Sequence, residues 1–140
     1  MNEDFINILT SGAKHFGFDY SPSTLKSFSL YNNMLKSYGE TTNLTAIKDT
    51  ADVARLHFLD SLAVLNAVDL KNKKVLDIGS GAGFPGIPLK LAEPSLDLTI
   101  IEATGKKVAF LVDLCNNLSI NVKIIHNRAE ELAKTQDMRE

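Results

Sequence analysis

Apolar positions follow one period in the first part of the chain and another in the second, and the change falls near residue 68. In the first part they recur every three to four residues. Phe5, Ile6, Leu9, Ala13 and Phe16 share one face of a predicted helix. A second helix opens at "SPST", where Ser21 can cap and Pro22 falls in the first turn. Leu25, Phe28, Tyr31, Leu35 and Tyr38 form its apolar stripe, and Gly39 ends it. "GETTNLTAIKD" reads as a loop, and a third helix starts after Asp49 and runs to about Asn66.

Beyond that point the apolar residues come in short, unbroken runs. "KVLDI", "LDLTIIE" and "NVKIIHN" read as strands, with "PGIPLKLA" and "GKKVAFLVDLCNNL" as the helices between them. Strands joined by helices of this length predict right-handed crossovers and a parallel sheet. Strands this apolar are expected to be covered on both faces. The expected class is therefore α/β, with a helical region over 1–68 and the first half of a ligand-binding α/β domain over 69–140.

The chemistry-bearing stretch is "VLDIGSGAGFPG", where a buried-looking strand ends in Asp77 and a turn follows with Gly79, Gly81, Gly83 and Gly86. In an open parallel sheet, ligands bind beyond the carboxyl ends of the strands. Glycines there permit positive φ and let backbone amides approach a ligand. Three ligands compete for this turn. A P-loop is excluded, because "TGKK" at 104–107 has Ile100 where the first glycine belongs. A nicotinamide site finds a literal G-x-G-x-x-G in Gly81, Gly83 and Gly86, yet Asp77 just behind that cradle would repel a pyrophosphate. S-adenosylmethionine has no phosphate, and its sulfonium and ammonium groups favour a carboxylate at the strand tip. Glu102 ends the second strand, where it can accept both ribose hydroxyls. Ala129 and Glu130 in "NRAEE" follow the third strand, where their amides could meet an adenine edge. Plainer roles compete with each of these: a turn-capping aspartate, a solvated strand-end acid, and an ordinary helix start.

Composition narrows the partners. The chain has 140 residues, 44% of them hydrophobic, with a formal charge of −2. It is thus no general polyanion binder, and any nucleic-acid contact needs a local patch. A single cysteine, Cys115, excludes a disulfide scaffold and a cysteine-based zinc site, fits a reducing cytoplasm, and lies among core residues of its helix. No apolar run reaches ~18 residues, so no membrane partner is expected, and no metal is implied. Lys106, Lys107 and Arg128 could face RNA phosphates or simply be solvated. His57, Asp60 and Ser61 share a helical face, as a local surface pair or a functional group.

The stretches "VLDIGSGAGFPGIPLKLAEP", "IEATGKKVAFL" and "NRAEEL", with "YNNMLKSYGETTNLTAIKD" and "RLHFLDSLAVL" upstream, resemble the bacterial guanine-N7 methyltransferases of small-subunit ribosomal RNA, also called glucose-inhibited division protein B. The resemblance covers nearly the whole chain. It implies a Rossmann-like class I methyltransferase with an N-terminal helical extension, S-adenosylmethionine as cofactor and small-subunit ribosomal RNA as substrate. By position it implies cofactor contacts at Gly79, Phe84, Ala129 and Glu130, with Asp77, Gly81, Gly83 and Glu102 in the general methyltransferase roles. Asn43, His57 and Arg128 match polar positions expected on the RNA-facing side, as candidates for a catalytic or positioning role. Family members continue with a fourth strand and a further arginine-containing cofactor motif. The chain therefore looks like an amino-terminal fragment with an incomplete sheet, inactive alone and prone to self-association through an exposed edge. A nicotinamide-dependent oxidoreductase fragment and a non-catalytic RNA- or protein-binding module remain alternatives.

Overall fold

The computed structural model describes residues 3–39 and 52–132. Helix α1 (Glu3–His15) carries Glu3 and Asp4 in its first turn and Lys14 and His15 in its last, each sign matched to the helix dipole. Phe16 lies beyond the helix end, where Gly17 takes φ 85° and Phe18 N–H returns to the Ala13 carbonyl at 2.8 Å. Helix α2 (Pro22–Gly39) is capped as expected: Ser21 Oγ accepts the Thr24 N–H at 3.2 Å.

A π-helical segment (Val53–Leu59) leads directly into α3 (Asp60–Ala67). The wider turn was not legible in the sequence. Its end is fixed where the Asp60 N–H reaches back to the Arg55 and His57 carbonyls. Ser61 Oγ also donates to the His57 carbonyl at 2.6 Å. Ser61 is thereby bonded to the backbone of its own helix rather than to a side chain of that face.

The second part alternates as predicted: β1 (Lys74–Ile78), α4 (Gly86–Ala92), β2 (Asp97–Glu102), α5 (Gly105–Leu118), β3 (Lys123–His126) and α6 (Ala129–Leu132). The strands form a three-stranded sheet in the order β1-β2-β3. Both pairings are parallel, with Asp77 beside Ile100 and Glu102 beside His126. Lys90 Nζ closes the α4–β2 turn by donating to the Pro94 and Leu96 carbonyls, both at 2.7 Å.

The expectation that both sheet faces are covered fails at β1. Val75 and Asp77 turn inward, but Leu76 and Ile78 are 47% and 58% exposed. The reason is topological. Successive right-handed crossovers in one direction place both crossover helices on the same face. Helix α2 packs across both α4 and α5 on that face. Covering the other face requires chain that runs back past β1 in the opposite direction.

One cluster of buried side chains runs from Phe5 to Leu118, so the N-terminal helices and the sheet share a core. Phe58 is its hub. It meets Phe5, Tyr31 and Phe84 edge-on with ring centroids 5.0, 4.9 and 5.1 Å away. Tyr31 is fully buried and donates its hydroxyl to the Ala82 carbonyl at 2.6 Å. Gly83 sits against the same hydroxyl at φ 102°, and a Cβ there would lie 2.5 Å from it and 2.8 Å from Ile87.

Gly83→Ala is expected to cost about 2–4 kcal/mol in denaturant unfolding, from positive-φ strain added to overpacking. Gly17→Asn, at a positive φ with nothing within 4 Å, should cost far less. Equal losses in the two variants would show that crowding at Tyr31 is unimportant.

Candidate functional site

Strand β1 ends at Ile78, and the ladder continues one residue further through Gly79 N–H to the Ile101 carbonyl at 2.8 Å. The chain then turns sharply toward α4. Gly79 and Gly81 take φ of 68° and 63°, and nothing lies within 4 Å of where a Cβ would stand on either. Their conformation calls for glycine while the protein puts nothing against them. That combination makes an open backbone cradle at the carboxyl end of the sheet. Ser80, between them, is buried with its hydroxyl unpartnered.

Two carboxylates lie under the cradle. Asp77 Oδ2 accepts the Gly86 N–H at 2.9 Å, at the start of α4. Gly86 is required for packing: a Cβ there would stand 2.7 Å from that oxygen. Glu102 is buried and spans the turn from below. Its Oε1 accepts the Gly81 N–H at 3.0 Å and its Oε2 the Thr104 N–H at 2.9 Å. The capping role considered for Asp77 is present, and since a carboxylate has about four acceptor sites it leaves room for a ligand role beside it. Burial pushes the Asp77 carboxyl above its usual range; the Gly86 amide opposes this and the Glu102 charge adds to it. Two acids beneath one turn make a locus that repels phosphate and favours a cation.

Phe84 closes the turn. Its ring is sandwiched between Tyr31 (centroids 5.2 Å, planes 14° apart) and His57 (4.5 Å, 14°), with the Phe58 edge on a third side. Both faces are taken, so what Phe84 can offer a ligand is its backbone and the remaining ring edge. His57 meets the turn through this stack. Burial lowers its pKa, and the Asp60 charge partly offsets that.

The loops after β2 and β3 join the turn from the side. Asn127 N–H bonds to the Glu102 carbonyl at 3.1 Å, and His126 Nε2 lies 3.1 Å from the Ala103 carbonyl. Arg128 is exposed, its N–H bonded to Asn127 Oδ1 at 2.7 Å, and Ala129 and Glu130 open α6 beside it. Lys106 is exposed and Lys107 half-exposed in the first turn of α5. Asp77, Gly79, Gly81 and Glu102 thus share one cradle, with Ala129 and Glu130 at the next strand end. Asn43 lies outside the described residues. Cys115 is buried, with its thiol pushed up to about 11 by burial, which fits the core role expected for it.

Sequence reasoning missed Tyr31 and His126. Tyr31 sat in an apolar stripe, where nothing marks the target of a hydroxyl; His126 looked like a strand end. Among the described residues, no cluster of His, Cys, Asp and Glu could hold a metal ion, and no helix is long and apolar enough to cross a membrane.

Comparison with known proteins bears on this geometry. Residues 24–139 match the GidB family model, described as rRNA small subunit methyltransferase G. A ribosomal RNA small subunit methyltransferase G from Caldanaerobacter subterraneus subsp. tengcongensis is 42% identical over 142 residues, covering 100% of this chain and 59% of that protein. The like-named protein of Alkaliphilus oremlandii is 36% identical over 96% of this chain and 57% of its own length. That of Lachnoclostridium phytofermentans is 39% identical over 92% and 54%. The chain therefore spans less than two thirds of the relatives it matches. The family match takes in both α2, which holds the turn through Tyr31, and the turn itself, and on that basis the chain belongs to the GidB family, rRNA small subunit methyltransferase G.

Proposed function

We propose that the chain is the methyl-donor-binding part of a methyltransferase that uses S-adenosylmethionine and acts on guanine N7 of small-subunit ribosomal RNA. The observation that carries this reading is the Gly79–Gly81 cradle, open above and underlain by Asp77 and Glu102. A dinucleotide would bring its pyrophosphate to this point, against two carboxylates. A sulfonium and an ammonium are favoured by the same charges.

When bound, S-adenosylmethionine supplies an electrophilic methyl group on a positively charged sulfur. The chain's residues hold and orient. Gly79 and Gly81 offer backbone without side-chain obstruction. Glu102 keeps acceptor capacity for ribose hydroxyls beyond its two amide bonds. The Ala129 and Glu130 amides stand where a base edge would follow. Guanine N7 carries a free lone pair, so no general base is required, and acceleration rests on alignment of the two reactants. Arg128, exposed beside the cradle, is suited to an RNA phosphate. N7 lies in the deep, narrow major groove of A-form RNA, which favours an unpaired guanine as target. A cytoplasmic location fits such a substrate.

The outer edge of β1, which no other described strand pairs, with Leu76 and Ile78 exposed beside it, supports self-association of the 140-residue chain. Sedimentation equilibrium should find dimers or larger species, and Ile78→Lys should shift them toward monomer. A wild-type monomer at high concentration removes this proposal.

Calorimetric titration should give binding of S-adenosylmethionine and none of NADH. Gly81→Val forces a β-branched residue to φ 63° at the cradle floor and should abolish measurable binding while the fold persists by circular dichroism. Unchanged affinity in that variant would refute the assignment of the cradle.

Asp77 gives a pH-dependent test. The folded chain holds this proton more tightly than the unfolded chain does, so the carboxyl's contribution to stability falls as pH rises. The change lies between its unfolded value, about 3.9, and its raised folded value. Asn can still accept the Gly86 amide, so Asp77→Asn should be at least as stable as wild type at pH 7. That advantage should shrink as pH falls toward 4, while affinity for the cationic ligand drops at neutral pH. Thermal melts across pH, paired with calorimetry, check both parts.

A further inference from the structure

We infer that Tyr31, far from the glycine turn in sequence, is a positioning residue that holds the Gly79–Phe84 turn in its ligand-ready shape before any ligand arrives. The inference rests on the reading of the turn as a methyl-donor cradle. Three contacts from one side chain converge on consecutive turn residues. The Tyr31 hydroxyl donates to the Ala82 carbonyl at 2.6 Å. The same hydroxyl lies close over Gly83, where a Cβ would come within 2.5 Å of it. Its face stacks on Phe84 at 5.2 Å.

These contacts act on the part of the turn that the cradle glycines do not control. Glycine at 79 and 81 leaves the backbone many conformations, and of these two residues the amides alone are tied, to the Ile101 carbonyl and to Glu102. Carbonyl 82, residue 83 and ring 84 are held from α2. Letting the turn open would leave a phenol and a carbonyl unpaired inside an aromatic core, which opposes opening. Burial, with the charges of Cys115 and Asp77 adding to it, holds the Tyr31 phenol protonated well above neutral pH. It is therefore a donor throughout the working range. His57 caps the other face of Phe84 and completes the clamp.

The test compares two isosteric changes on one helix. Tyr31→Phe deletes the hydroxyl that reaches the turn. Tyr38→Phe deletes one that bonds to Asp113 on α5 at 2.6 Å, away from the turn. In the ligand-free chain, Tyr31→Phe should speed amide hydrogen exchange at Gly81 and Gly83 by about tenfold, roughly the loss of one hydrogen bond, with Ile100 unchanged. Tyr38→Phe should leave all three as in wild type. By calorimetry, Tyr31→Phe should weaken S-adenosylmethionine binding about tenfold and Tyr38→Phe less than twofold. Unchanged exchange at Gly81 and Gly83 in Tyr31→Phe overturns the inference. So does an equal loss of affinity in both variants, which would mark a general structural effect. If the wild-type chain binds no S-adenosylmethionine, the methyl-donor reading fails, while the exchange measurement still decides the role of Tyr31.

Discussion

The structure depends on how Phe84 is seated. A glycine-rich turn has little reason to keep one shape, since each glycine widens the set of conformations it can adopt. Here the turn ends in an aromatic ring held between Tyr31 from α2 and His57 from the π-helical segment, with Phe58 edge-on. The N-terminal helices are therefore no appendage to the sheet. They supply the rings that hold the turn, and the turn supplies the ring that joins their core to the sheet. The π-helical segment carries both His57 and Phe58, so its register aims two contacts at Phe84 at once.

Two carboxylates set the charge beneath the turn. Asp77 and Glu102 do structural work, capping α4 and tying Gly81 and Thr104 into place. The same carboxylates place negative charge beneath the open backbone. Asp77 caps α4, and its position beneath an open backbone leaves it able to face a ligand as well. The pattern of glycines is shared by sites for very different ligands, and the charge beneath the glycines separates them.

The sheet is asymmetric for a topological reason. Three parallel strands laid down in one direction place their crossover helices on one face, where α2 packs over them. The opposite face of β1 keeps Leu76 and Ile78 in solvent. The curated relatives run well beyond the matched region, and this chain covers 59% or less of each protein compared. Exposed apolar side chains on a strand that, among the described residues, is paired on one edge alone are the physical mark of a surface that another segment can cover.

By itself the sequence determined the order of the elements and, apart from the π-helical turn, their type, because hydrophobic period is local: 3.6-residue spacing makes the stripe of α2, and short apolar runs make β1, β2 and β3. It also located the cradle, since glycines in series after a strand-end acid constrain the backbone wherever they occur. Only the tertiary structure decided how that cradle is held. Tyr31 reads as one more apolar position in a stripe, yet its hydroxyl ends on Ala82. Phe84 reads as a residue facing ligand, yet its faces are covered from α2 and the π-helical segment. Gly83 and Gly86 read as part of the flexible series, yet both are crowded, by Tyr31 and by Asp77. The open face of β1 was equally hidden, because an apolar run does not say which of its sides a neighbour will cover. Periodicity reports the environment of a residue averaged along its own element. Contacts between residues distant in sequence depend on which elements meet, and packing alone settles that.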